Sequence, residues 1–186
     1  DSIIRNYSYN VLDSLPPVSM PHERNPFYMG VELEVALINR RADAMQLRMH
    51  ATELKKYLPH AIFKSDGSIS GEESCQGFEI VSAPATLKAH SAIWYDAFIS
   101  PIMAKFHGPS SCGMHVHLDR GRIEPLTLSK LLLFFNKPAM YNLLHGIAGR
   151  SVLPEHSRWS KARRPPCTAL ASSSAILTPM ASIPAT

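Results

Sequence analysis

Tyr28-Met29-Gly30-Val31-Glu32-Leu33-Glu34-Val35-Ala36-Leu37 alternates apolar and acidic side chains with a period of two. Successive side chains of an extended strand leave opposite faces, so Val31, Leu33 and Val35 share one face and Glu32 and Glu34 the other. This stretch predicts a half-buried strand. Its two carboxylates repel one another unless a cation or a basic side chain stands beside them. A solvated outer face would also accommodate them. The apolar continuation Ala36-Leu37-Ile38 is instead what a well-covered strand requires.

Outward from this strand, helices and further strands follow without a strict βαβ rhythm. Residues 41 to 58 predict a helix with Ala44, Leu47, Met49, Leu54 and Leu58 inward, ended by Pro59. Ile62-Phe63-Lys64 reads as a short strand entering the turn Ser65-Asp66-Gly67-Ser68, and Gly77-Phe78-Glu79-Ile80-Val81-Ser82 as another strand. Pro84 is expected to open a helix through about Phe98, broken near Pro101. Cys112 to Asp119 predicts a strand with Met114, Val116 and Leu118 toward the core. Residues 126 to 136 predict an apolar helix with Thr127 as N-cap; Lys137-Pro138 interrupts it before a second helical piece ending near Ile147. The expected class is α+β, with a mostly antiparallel sheet and helices packed on one face.

Both ends differ from this middle. Pro16, Pro17, Pro21 and Pro26 mark residues 1–27 as an arm or linker. Residues 162–186 lack acidic side chains, are dominated by Ala, Ser, Thr and Pro, and are expected to be disordered. The folded domain is thus placed at 28–161.

The 186 residues are 45% apolar and 18% charged, a globular composition. No run approaches the roughly 20 apolar residues that span a bilayer, which excludes an integral helical membrane protein. Three cysteines exclude a disulfide scaffold and favour a reducing compartment. No basic-then-apolar leader opens the chain, which starts at Asp1 as a processed protein or a fragment would, so a cytoplasmic location is expected. The net charge of +4 invites a nucleic-acid reading. Through Glu155, however, 15 Lys+Arg balance 15 Asp+Glu, and the excess comes from Arg158, Lys161, Arg163 and Arg164. A basic end is not a nucleic-acid-binding face, and no nucleic-acid or membrane partner is expected.

Three predicted strands carry chemistry. Glu79 is an isolated acid inside an apolar strand, and acids are rarely buried without a partner. His115 and His117 share one strand face, where two imidazoles can address one metal or a polyphosphate. With Glu32 and Glu34 they make an oxygen-rich set that suits Mg²⁺ or Mn²⁺. Cys75, Cys112, His115 and His117 keep zinc open as the minority choice, although their spacing matches no familiar zinc ribbon or knuckle. Asp66 is placed at a loop tip near the sheet end.

The series Gly30-Val31-Glu32-Leu33-Glu34, Asp66-Gly67-Ser68, Gly77-Phe78-Glu79-Ile80-Val81-Ser82 and Cys112-Gly113-Met114-His115-Val116-His117 resembles the amidoligase family. These are bacterial and phage carboxylate–amine ligases of the glutamine synthetase superfamily. The resemblance runs from about residue 28 to residue 160. It implies a glutamine-synthetase-like antiparallel sheet that holds ATP with Mg²⁺ or Mn²⁺. It implies Glu32, Glu34, Glu79 and His115 as metal ligands, Glu32 and His117 on the nucleotide side, and Glu34 and Asp66 in catalysis. The implied reaction joins a small-molecule or peptide carboxylate to an amine through an acyl phosphate, and related enzymes assemble as homo-oligomers.

The family continues past the position of Ser160-Lys161 into a strand bearing Asn, Glu and Arg. Here the chain runs into Arg163-Arg164-Pro165-Pro166. A truncated or out-of-frame end with an incomplete and inactive site is therefore one expectation. A binding or assembly protein built on the ligase fold is the alternative function, with a zinc hydrolase behind it.

Overall fold

β2 (Met29–Leu37) is the hub of a six-stranded sheet. The computed structural model describes residues 2–11, 13–69, 76–108, 112–140, 143, 144 and 146. They fall into two units, Asp1–Asp119 and Arg120–Thr186. The first holds β1 (Ile4–Arg5), β2, α1 (Ala44–Leu54), β3 (Ala61–Lys64), β4 (Gly77–Ser82), α2 (Leu87–Ile99), β5 (Phe106–His107) and β6 (Met114–Leu118). The strand order is β1-β3-β4-β2-β5, with β6 also on β2. Every pair is antiparallel except β1 with β3, so the sheet is mixed and the class is α+β.

Alternation along β2 sorts its side chains as expected. Val35 and Leu37 join Phe63 of β3, Phe78 and Ile80 of β4 and Phe106 of β5 in the core. Leu47, Ala51 and Leu54 of α1 and Trp94 and Ala97 of α2 pack into the same core, so both helices cover one face of the sheet. Phe78 is its centre, with ring centroids 4.9 Å from Phe63 and 5.4 Å from Phe106. The opposite face carries the acids.

Several expectations need correction. Ala44 and Met49 of α1 are exposed; the buried stripe is Leu47, Ala51 and Leu54, continued by Leu58 beyond the helix, spacings of four, three and four that follow one helical face. α2 begins at Leu87, not Pro84, because Ala85 is engaged in bridges to Val18 and Met29 and Thr86 is the N-cap. Met114 and Val116 leave the sheet on its apolar side but are exposed, 59% and 43%.

The N-terminal arm, far from being a bare linker, is tied to the sheet. Ile4 and Arg5 pair with Phe63 and Lys64. Val18 exchanges backbone hydrogen bonds with Pro84 and Thr86. The Thr86 hydroxyl donates to Glu23 at 2.7 Å, which holds the Glu23 carboxyl below the usual carboxylate range. His90 fixes the start of β2: Trp94 Nε1 donates to His90 Nδ1, so Nε2 bears the proton and donates to the Met29 carbonyl at 2.8 Å.

α1 starts at a capping box. The Asp43 carboxylate accepts from the Gln46 amide at 2.8 Å while the Gln46 side chain accepts from the Asp43 amide. Asp43→Ala is expected to cost about 1 kcal/mol, read as a lowered midpoint in urea with an unchanged slope.

In the second unit, α3 (Pro125–Asn136) has Glu124 at its N-cap without a side-chain bond and Pro125 inside its first turn. Thr127 is therefore within the helix, not its cap. A 3₁₀ turn follows at Pro138–Met140. The expected tail, 162–186, and most of the second helical piece lie outside the described residues.

Candidate metal centre

Register brings the acids together. β2 and β4 place Glu34 opposite Glu79 and Glu32 opposite Val81, and β6 places His115 opposite Glu32 and His117 opposite Gly30. Opposed residues of adjacent strands share a face, so Glu32, Glu34, Glu79, His115 and His117 lie on the side away from the helices. Gly30 lies opposite His117, where a Cβ would meet that of the histidine in ordinary contact at 3.7 Å.

One oxygen of Glu32 gathers both histidines. His115 Nδ1 donates to Glu32 Oε2 at 3.2 Å, and His117 Nε2 lies 3.1 Å from the same atom. The two imidazoles hold the Glu32 carboxyl well below the usual carboxylate range. Its hydrogen bond to Glu32, with the nearby acids, pushes His115 up, against the effect of burial.

Glu34 is nearly buried and clasped to β6. Its amide donates to the Gly113 carbonyl at 3.0 Å, and its Oε2 accepts from the Gly113 amide at 2.6 Å. The strand pairing thus continues into the Cys112-Gly113 turn through a side chain.

Glu79 is the least compensated of the three acids. It is 5% exposed, and its partner is Lys64, whose Nζ lies 4.0 Å away, beyond hydrogen-bond reach. Burial, reinforced by Glu32 and in lesser measure by Asp66 and Glu34, pushes its carboxyl up to about 7, although Lys64 pulls the other way. A buried acid in this position is suited to a cation.

Two ligand sets meet at Glu79. Glu32, Glu79 and His115 each offer an atom within 4.8 Å of the others, and so do Glu34, Asp66 and Glu79. Asp66 reaches the second set from the turn after β3, where the Ser68 amide donates to its Oδ1 at 2.8 Å. The second set is all oxygen and the first adds one imidazole, donor chemistry that fits Mg²⁺ or Mn²⁺. His117 belongs to neither set and stands behind Glu32. Cys112 is buried with Ala36 and Ile69, among the described residues it joins neither set, and Cys75 lies outside them.

Sequence reasoning passed over Lys64. Its signal was available, since Ile62 and Lys64 alternate with Phe63 and therefore face the acids. No protein-family model, curated protein or solved structure matches this chain.

Proposed function

We propose that this sheet face is the metal and nucleotide site of an ATP-dependent carboxylate–amine ligase with a glutamine-synthetase-like sheet. The supporting observation is that Glu79 completes two adjacent carboxylate-rich ligand sets, the arrangement that phosphoryl transfer uses to neutralise phosphate oxygens. The resemblance of the four sequence segments supplies the reaction class.

In this reading a carboxylate oxygen attacks the terminal phosphorus of ATP as the bond to ADP breaks. An amine then displaces phosphate from the acyl phosphate, and the amine proton leaves with the phosphate. Divalent ions supply electrostatic neutralisation of the phosphate oxygens in that transfer. The chain's own residues hold the geometry. Glu32 is aimed by His115 and His117, Glu34 by the Gly113 amide, and Asp66 by the Ser68 amide. Strand register sets the positions of Glu32 and Glu34, and the turn after β3 sets that of Asp66.

The test is calorimetric titration of the full chain with Mg·ATP. Glu34→Gln keeps an oxygen for the Gly113 amide and removes the charge, so affinity should fall at least about tenfold with the fold intact by circular dichroism. A wild-type chain that does not bind Mg·ATP would sink the proposal.

A further inference from the structure

One transverse row of the sheet changes sign halfway across. The pairing of β1 with β3 sets Arg5 beside Lys64, β3 with β4 sets Lys64 beside Glu79, and β4 with β2 sets Glu79 beside Glu34. The row therefore reads Arg5, Lys64, Glu79, Glu34 on one face, two cations followed by two carboxylates. Lys64 is largely enclosed, with a side chain 14% exposed, and its amine lies over the Tyr7 ring at 5.1 Å. Arg5 lies over the Tyr9 ring at 5.1 Å. Both aromatic partners come from the segment just after β1, so the arm delivers one cation and helps to position the other.

Charge arithmetic gives this row a purpose. Glu32, Glu34, Glu79 and Asp66 carry four negative charges when ionised, and two divalent ions would cancel them. Lys64, until then the partner of Glu79, is left with an unanswered charge beside the ions, and Arg5 stands next to it in the row. A site of that kind attracts a multiply charged anion lying along the row.

We propose that Lys64 and Arg5 form the anion-holding side of the site, where they receive the terminal phosphoryl oxygens of a polyphosphate chain presented by the metal ions. The inference rests on the ligase reading for the ions and deepens it by naming the protein groups that grip the phosphate. Lys64 makes the closer contact because it adjoins Glu79. Arg5 lies one strand farther out and has a smaller share.

The experiment uses the full chain and two probes, Mn²⁺ alone, counted by electron paramagnetic resonance, and preformed Mn·pyrophosphate, titrated by calorimetry. The wild-type chain should take up Mn²⁺ and bind Mn·pyrophosphate. Lys64→Met preserves the length of the stem and removes the charge, so pyrophosphate affinity should fall tenfold or more. Its affinity for Mn²⁺ alone should be unchanged or higher, because a competing cation beside Glu79 has gone. Arg5→Gln, at the sheet edge, should weaken pyrophosphate about threefold without altering Mn²⁺ uptake, and Lys64→Arg should retain most of the binding. Unchanged pyrophosphate affinity in Lys64→Met, or parallel loss of Mn²⁺ and pyrophosphate, would overturn the proposal. Mn²⁺ uptake without pyrophosphate binding by the wild type overturns it alone. Pyrophosphate binding without Mg·ATP binding overturns the ligase reading and leaves this one standing, whereas no Mn²⁺ uptake ends both.

Discussion

Glu79→Gln should abolish divalent-ion binding at both ligand sets together, because this one carboxylate belongs to each. Titration with Mn²⁺ should show affinity lower by roughly a hundredfold or more, beyond the usual cost of losing a residue that merely supports a ligand. Glu32→Gln, by contrast, should spare the set made by Glu34, Asp66 and Glu79 and leave one ion bound. Equal losses in the two variants would mean that Glu79 is not shared. The same glutamine should stabilise the chain in EDTA. The Glu79 carboxyl sits at about 7 in the folded chain against an ordinary 4.5, so between those values the folded state holds more protons than the unfolded one. Stability then falls as pH rises through that window, by an amount on the order of a few kcal/mol.

The neighbouring pair shapes the rest of the profile. Glu32 is depressed, so its stabilisation is present above the ordinary carboxylate range and is lost as pH falls. His115 is raised, so its stabilisation is present below the ordinary histidine value and is lost as pH rises through its folded one. In EDTA the thermal midpoint should be highest near pH 5 and decline toward pH 8, and Glu79→Gln should flatten much of that decline. A wild-type midpoint that climbs from pH 5 to pH 8 would refute the assignment of Glu79.

Gly77→Ala is expected to be the most damaging small substitution in the sheet. A Cβ at Gly77 would fall 2.5 Å from the Val35 carbonyl oxygen and 3.2 Å from the Ala36 Cα, and closer still to the buried Ile69 side chain. Ile69 could turn, but the backbone of β2 cannot withdraw without opening the ladder that aligns Glu34 with Glu79. Overpacking of this kind costs about 1–3 kcal/mol, with the upper end expected where backbone obstructs. The thermal midpoint should drop by roughly 10 °C. Gly67→Ala is the control, since nothing lies within 4 Å of a Cβ there. If the two variants melt alike, the close approach of Gly77 to β2 is wrong.

β2, β4 and β6 could be read from sequence because one face of each is apolar and the other bears isolated acids or histidines. β1 and β5 could not, since two residues contain no period and their membership is decided by the strand they meet. The placement of Met49 failed because it sits two residues from both Leu47 and Ala51, on the far side of a helix. For Met114 and Val116 the alternation was correct but the cover was not, because facing the apolar side of a sheet does not ensure that a helix lies over that strand. At the site, period two put Glu32 beside Glu34 and His115 beside His117. That Glu79 reaches both sets depends on register across three strands, and the share of Asp66 depends on a turn, neither of which local pattern encodes.

The ladder between β2 and β6 joins Glu32 to a histidine 83 positions away. The clasp between Glu34 and Gly113 spans 79. Closing so long a stretch is slow and entropically costly, and nothing local rewards it in advance. Both ligand sets also combine widely separated parts of the chain, so an unfolded molecule keeps their members apart and offers a cation no ready-made nest. Any cation captured by these sets is therefore captured by the native state alone. By mass action, a free ion at a hundred times its dissociation constant adds about 2.7 kcal/mol to the native state. The supply of divalent ion would then govern how much of this chain survives heat or protease.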